Sequence, residues 1–281
     1  MLITQTPLRV SIAGGGTDFR EFFRHEGGAV LSFAIDKFVY VIVKERFDDM
    51  IYVNYSQKEI VETVDDLKHN LVREAMRKTG VERGVEITTL ADVPSEGTGL
   101  GSSSSITVGL LNALYAYQGV QVTAEQLARE ASEIEIEILG KPMGIQDHYI
   151  AAYGGLRFIE FAADGEVRTR RVEVAEARQR RFISNLLLFY TAKTRHATQI
   201  LAEQKRNVPH RLAELRELRR MAYEALDRLT NNSLDSIGHL LHRAWLVKQT
   251  LAPGISLPEV EETYARAREV GALGGKLCGA G

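Results

Sequence analysis

The sequence of 281 residues predicts an α+β protein in two domains. Three observations carry that expectation. Segments of strand character crowd the chain up to Val174, interleaved with only a few helices. From Thr194 to Gly271 the pattern is almost entirely helical. Composition shifts near residues 175–183, which divides an N-terminal domain, 1–178, from a C-terminal domain, 179–281. At 44% hydrophobic and 26% charged residues the chain has a globular profile, long enough for one large or two medium domains. A formal net charge of −2 supplies no field for nucleic acid or an anionic membrane, and neither is expected as a partner. The single cysteine, Cys278, excludes an intrachain disulfide and a cysteine-built zinc site and fits a reducing compartment. The start MLITQTPLRVSIAGGG is too polar for a signal peptide, and no apolar run approaches membrane length, so a cytoplasmic location is expected. The sequons Asn54-Tyr55-Ser56 and Asn231-Asn232-Ser233 then carry no meaning.

Residues 2–13 alternate as a strand, with Val10 and Ile12 on one face, and stop at Gly14-Gly15-Gly16-Thr17-Asp18. Arg9 and Asp18 flank that break; alone, they read as a surface ion and an Asx-turn. Ala29–Ile35 and Phe38–Lys44 read as a pair of strands and Ile51–Tyr55 as a third. Val64–Lys78 has helical spacing through Leu67, Leu71, Val72 and Ala75, and Gly84–Leu90 is a strand.

That strand leads into DVPSEGTGLGSSSSITVGLLNAL, residues 92–114, around which the chain is organised. Gly97, Gly99 and Gly101 let the main chain approach a ligand closely, and Ser102–Ser105 open an apolar run dense enough for a buried helix. A helix start directly behind glycines presents unpaired N–H groups at the positive end of the dipole, an anion site suited to a polyphosphate. The serine hydroxyls add donors for phosphate oxygens or ligands for magnesium. A glycine turn with serine caps is the plainer alternative. No lysine follows Gly101, so the loop is not of Walker type, and neither HRD and DFG motifs nor a GxSxG elbow is present.

Thr123 and Gln126 form a capping box for a helix whose stripe is Leu127, Ala131, Ile134 and Ile138. Its glutamates read mostly as a solvated face. Glu135 lies beside the stripe, where a half-buried carboxylate could instead ligate a cation. GKPMGIQDHYIAAYGG, residues 140–155, is a loop and a short helix; an aspartate such as Asp147 at a helix start is usually an N-cap. Strands follow at Leu156–Phe161 and Val167–Val174 around the Asp164-Gly165 turn, with the arginines at 168, 170, 171, 178, 180 and 181 on a solvated surface. SNLLLFY, Ser184–Tyr190, reads as a buried strand. Helices follow through Leu212–Leu229, with Glu224–Arg228 as an i,i+4 pair, through Ile237–Trp245, and from Pro258 to near Gly271. The closing stretch from Gly274 looks like a strand entering another glycine turn, and residues beyond Gly281 are expected.

Three separated motifs together resemble the GHMP kinases. Pro7-Leu8-Arg9-Val10 through Gly16-Thr17-Asp18 is similar to the family's first motif. Pro94 to Ser105 is similar to the second, PxxxGLGSS, with Gly99-Leu100-Gly101-Ser102-Ser103 matching residue for residue. Gly274 to Gly281 is similar to the start of the third. Within the family, AGGGTD, KPMGIQDHYIAAYGG and FYTAKTR resemble the sugar 1-kinases of heptose-phosphate and fucose type, most of all those acting on D-glycero-D-manno-heptose 7-phosphate. The implied fold is a ribosomal-protein-S5-domain-2-like N-terminal domain with a ferredoxin-like C-terminal one.

The resemblance implies transfer of the ATP γ-phosphoryl group to an anomeric hydroxyl, with Mg²⁺, in making nucleotide-activated heptose for surface glycans. It implies ATP binding by Pro94, Gly97, Gly99, Leu100, Gly101, Ser102, Ser103 and Ser104, and Mg²⁺ binding by Ser103 and Glu135. Asp147 is the implied catalytic carboxylate, with Arg9 beside it keeping it ionised. Gly15, Gly16, Thr17 and Asp18 are the implied sugar contacts. For the substrate's own phosphate Lys193 and Arg195 are the expected ligands, with Arg20 and Arg24 behind them. Another sugar 1-kinase such as fucokinase, and a GHMP-fold binding protein without catalysis, stay open, as do monomer and homodimer.

Overall fold

The structure, a computed structural model, describes residues 1–94, 97–191, 197–231 and 233–279. Lys193, Arg195, Asn232, Ala280 and Gly281 therefore lie outside the described residues.

One long strand organises the sheet. β1 (Leu2–Ala13) pairs antiparallel along one edge of β2 (Gly28–Glu45), while the other edge of β2 is shared. Its first half pairs with β6 (Leu156–Phe161) and its second half with β5 (Val85–Ala91). The expected two strands at 29–35 and 38–44 are thus one. No turn forms at the Asp36-Lys37 step, because both halves face the same partner strand. The interruption survives only as a register shift between Pro7↔Phe38 and Arg9↔Ala34. Beyond β5 come β3 (Ile51–Asn54), parallel to it, and β4 (Lys58–Val61), which the sequence pattern had not disclosed. Beyond β6 comes β7 (Val167–Arg171). The order is β4-β3-β5-β2-β6-β7, with β1 against β2.

Helices cover both faces. On one lie α2 (Asn70–Thr79), α3 (Ser102–Tyr117), α4 (Ala124–Ser132) and α5 (Gln146–Tyr153). Val41, Val43, Val53 and Ile87 meet Val72, Leu110 and Leu114 there. On the other lie α8 (Leu212–Asn231) and α9 (Asp235–Gln249), whose Leu218, Met221 and Trp245 pack with Leu31 and Phe158. Burial of such side chains, about 1.5–3 kcal/mol each, holds the C-terminal helices onto the sheet. The remaining helices are α1 (Arg20–Glu26), α6 (Glu176–Ser184), α7 (Ala197–Asn207) and α10 (Pro258–Glu269). The expected boundary after residue 178 falls inside α6.

Several local expectations are revised. The helix expected over 64–78 is a 3₁₀ turn, Val64–Asp66, followed by α2. Glu59 breaks it by accepting the N–H groups of Lys68 (2.6 Å) and His69 (3.0 Å), and His69 then caps α2. Thr123 accepts the Gln126 N–H at 3.1 Å, but the Gln126 side chain turns to Glu130, so half of the capping box forms. Glu130 is buried beneath Tyr115 rather than solvated. α4 widens into a π-helical segment, Glu133–Ile138, which leaves Ile138 exposed. Arg178 is no surface ion: it donates to the carbonyls of Arg228 and Leu229 at the end of α8. Ser184–Tyr190 is not a strand. It pairs with no strand among the described residues, and Leu187, Leu188, Phe189 and Tyr190 are exposed. Of the closing stretch, residues 272–279 are likewise not a strand.

Candidate active site

The glycine loop delivers the start of α3 to the edge of the sheet. Gly101 is its N-cap, at φ 80°, and Ser105 N–H donates to Gly101 O at 3.0 Å. The N–H groups of Ser102, Ser103 and Ser104 consequently have no acceptor within the helix, and sixteen aligned peptides add the positive dipole end. Leu100 is buried beside Leu8 and Val39 and its carbonyl accepts Arg9 N–H at 3.0 Å, which pins the loop to β1. Pro94 and Gly97 are exposed. Gly99, at φ 66°, lies so close to the third glycine segment that a β-carbon would stand 2.3 Å from Cys278 O. Ser104 Oγ is buried and has no hydrogen-bond partner among the described residues.

Arg9 joins this loop to Asp147. Its Nε and Nη2 donate to Asp147 Oδ1 and Oδ2 at 2.7 and 2.5 Å, and Nη1 donates to Gly99 O at 2.6 Å. Asp147 is not an N-cap. Ile145 occupies that position, and the carboxylate of Asp147, in the first turn of α5, turns to the arginine. Asp18 is buried alongside. Its Oδ1 accepts Gly16 N–H at 3.0 Å and its Oδ2 accepts Gln146 N–H at 3.2 Å. Burial, and then the neighbouring Asp147, raise its pKa against those two bonds. A β-carbon on Gly144 would stand 2.0 Å from Asp18 Oδ2, so this loop position requires glycine. Thr17 is fully buried with its hydroxyl bonded to Gly14 O and to Ala29 of β2; it closes the turn and does not face the site.

Glu135 is the most enclosed carboxylate of the site, with no exposed surface. Oε1 accepts from Thr107 at 3.0 Å and meets His148 Nε2 at 3.2 Å. Oε2 accepts from Ser103 Oγ and from Lys141 Nζ (2.6 Å), and Lys141 also donates to Ser103 Oγ at 2.7 Å. Burial alone would raise its pKa, but the His148 hydrogen bond and the charge of Lys141 outweigh it and hold the carboxyl at about 2. An ammonium thus already bridges the hydroxyl and carboxylate that were expected to hold Mg²⁺. The donor set fits a hard cation, and Mg²⁺ in phosphoryl-transfer sites needs only one or two protein ligands beside water and phosphate.

Two lysines enter the same cluster from the C-terminal part, and sequence reasoning missed both. Lys248 on α9 is buried, donates to Gln204 of α7 at 3.1 Å, and lies 3.6 Å from where a β-carbon on Gly16 would stand. Burial, with Lys276 and Arg9 adding to it, lowers its pKa to about 8. Lys276 donates to Ser11 O at 3.0 Å, and its pKa is lowered first by burial. His148, Thr107 and Lys141 were also missed as site residues. Of the expected ligands of the substrate's phosphate, Lys193 and Arg195 lie outside the described residues. Arg20 pairs with Glu137, and Arg24 donates to Asp164 O at 2.8 Å. Both line a groove of about 510 Å³ with Arg129, Tyr149 and Glu166, a lining that does not include Arg9, Ser103 or Asp147.

Residues 60–155 match the family model of the GHMP kinase N-terminal domain and residues 212–281 that of the C-terminal domain. A D-glycero-alpha-D-manno-heptose 7-phosphate kinase of Campylobacter jejuni is 29% identical over 99% of this chain and 86% of its own. An L-fucokinase/L-fucose-1-P guanylyltransferase of Bacteroides fragilis is 26% identical over 99% of this chain and 33% of its own. The crystal structure of a D-glycero-D-manno-heptose 1-phosphate kinase from Bacteroides thetaiotaomicron superposes with a TM-score of 0.77 at 23% identity, covering 100% of this chain and 86% of that one. Among the described residues no helix is long and apolar enough to cross a membrane.

Proposed function

Because the chain belongs to the GHMP kinases and is a sugar kinase of that family, we propose that it transfers the γ-phosphoryl group of ATP to the anomeric hydroxyl of D-glycero-D-manno-heptose 7-phosphate. The observation that carries this reading is the Arg9–Asp147 pair, bonded through both carboxylate oxygens and joined by Arg9 Nη1 to the glycine loop at Gly99 O. It sets an acceptor for a hydroxyl proton next to a helix start built for phosphates.

The N–H groups opening α3 would hold the β- and γ-phosphates, with Ser103 and Glu135 as ligands of Mg²⁺. When bound, the ion supplies charge neutralisation for the phosphates. Asp147 orients the sugar hydroxyl and accepts its proton as the new O–P bond forms and the β,γ-bridging bond breaks, releasing ADP. Asp18 and the Gly15-Gly16 main chain present the hydrogen-bonding surface for the sugar. Phosphoryl transfer gains mainly from positioning and charge stabilisation, and each of these groups is already held in place. The reaction belongs to the making of nucleotide-activated heptose in the cytoplasm.

The test is ³¹P NMR of the protein with MgATP and D-glycero-D-manno-heptose 7-phosphate, with fucose, mannose and no sugar in parallel. A new anomeric phosphate signal with the heptose phosphate alone is the expected result. Turnover of fucose instead, which the similarity to the L-fucokinase makes the second reading, would keep the site and overturn the substrate. ATP binding without transfer to any sugar would refute the activity.

A further inference from the structure

Five charged side chains meet at the centre of the site: Arg9, Lys248 and Lys276 against Asp18 and Asp147. Arg9 and Asp147 neutralise one another through two hydrogen bonds. The lysines have no such partner. Lys248 Nζ bonds to the neutral Gln204 amide and Lys276 Nζ to the Ser11 carbonyl, and neither comes within ion-pair distance of a carboxylate among the described residues. Lys248 nevertheless feels the charges of Lys276, Asp18 and Arg9, and Lys276 feels Cys278, Arg9, Asp18 and Asp147.

Two ammonium groups brought together without a bonded carboxylate are costly unless an anion completes them. Asp18 is not that partner here: its oxygens accept the N–H groups of Gly16 and Gln146, and no lysine ammonium comes within ion-pair distance of it among the described residues. Charge counting gives the same result. Three cations against two carboxylates leave one positive charge in a largely desolvated cluster. Lysine is also the residue suited to a tetrahedral dianion, offering a compact charge with three rotatable donors.

We propose that Lys248 and Lys276 form a phosphate-binding subsite beside Asp18 and Asp147, completed only when substrate is bound. The proposal rests on the kinase reading for the source of its ligand. That source is either the phosphate that the sugar already carries or the phosphoryl group in transfer. In both cases α9 and the closing segment contribute cations to a site whose phosphate loop and catalytic carboxylate come from the N-terminal part.

The test uses Lys248→Met and Lys276→Met, which keep the apolar stem and remove the charge, with Lys248→Arg as the charge-retaining control. Inorganic phosphate is titrated by calorimetry with saturating ADP present, so that the glycine loop is already engaged. Wild type and Lys248→Arg are expected to bind phosphate, and each methionine variant to lose at least tenfold in affinity. In steady state, a tenfold rise in KM for the sugar phosphate at unchanged kcat would place the substrate's own phosphate on the lysines. A tenfold fall in kcat with both KM values kept would place the transferred group there. Phosphate affinity and turnover equal to wild type in both methionine variants would overturn the subsite. Phosphate binding lost in the variants of a protein that phosphorylates no sugar would keep the subsite and refute the kinase substrate instead.

Discussion

Arg9 ties Asp147 to the glycine loop at Gly99 O, which makes Arg9→Met the sharpest probe of the site's construction. The pair it breaks is enclosed, with side-chain exposures of 6% for Arg9 and 14% for Asp147, and is bidentate at 2.7 and 2.5 Å. Deleting one partner of such a pair strands a charge and costs about 3–5 kcal/mol. Here the stranded carboxylate also faces buried Asp18, a like charge. For a chain of this size that corresponds to a fall in Tm of roughly 6–20 °C. Asp147→Asn removes the charge instead, so the double variant should regain about 2–3 kcal/mol over the sum of the single losses. Denaturant melts of the four proteins give the coupling directly. Turnover in the same set should fall by about 10²–10⁴ for Asp147→Asn, with little further loss on adding Arg9→Met. Stability losses that simply add to within about 0.5 kcal/mol would refute the electrostatic account of the pair.

Three further perturbations follow from the same geometry. Lys141→Met leaves Glu135 without its ammonium; because Lys141 is partly exposed, we expect a loss of about 1–2 kcal/mol in metal-free protein, recovered on adding Mg²⁺ with nucleotide, as read by thermal melts. Melts that MgADP does not recover would contradict a shared cation position. The folded-state pKa of Glu135 is about 2, below its ordinary 4.5, so its contribution is fully present above pH 4.5 and is lost as pH falls from there towards 2. That difference is worth about 3 kcal/mol, and in denaturation from pH 6 to pH 2 the gap between wild type and Glu135→Gln should close on the acid side. A gap that stays constant across that window would count against the assignment. Gly144→Ala would force a methyl into Asp18 Oδ2, so KM for the sugar should rise at least tenfold while KM for ATP holds; unchanged sugar KM would remove Asp18 from the sugar site.

The parts of the site that the sequence disclosed are those in which several local signals agree. In residues 97–105 glycine spacing, serines and an apolar run all specify one helix start, and α3 begins at Ser102. Lys248 carried a weaker signal that could have been read. It continues the stripe Ile237, Leu240, Leu241, Ala244 and Trp245 at helical spacing, and a lysine on a buried stripe is a polar group seeking a partner. Thr107 follows Ser103 by one helical turn, and His148 is the residue after Asp147; their roles depend on Glu135, which reaches them through a π-helical turn that spacing does not announce. Ser184–Tyr190 shows the converse limit. Composition specifies a strand only where a neighbour supplies the ladder, and none does among the described residues. The union of 29–35 and 38–44 into β2 is non-local in the same way, since it follows from one partner strand serving both halves.

The two carboxylates flanking the glycine loop can be assigned different work by counting their lone pairs. A carboxylate has about four acceptor positions. In Glu135 the four named donors, Thr107, His148, Ser103 and Lys141, fill them, and no surface is exposed, so a substrate hydroxyl has nowhere to bind. Asp147 accepts two hydrogen bonds from Arg9, retains 14% side-chain exposure, and so keeps positions open to a hydroxyl. Proton acceptance therefore falls to Asp147. Glu135 can serve a metal ion only by releasing a donor, and its two oxygens differ in how readily they can do so. Thr107 and His148 on Oε1 are themselves buried and held by α3 and α5. On Oε2, Lys141 is a partly exposed flexible chain in the loop before α5. It is Lys141 that must swing aside, so the metal step should be sensitive to substitution at 141, whereas substitution of His148 should act first on the folding of the site.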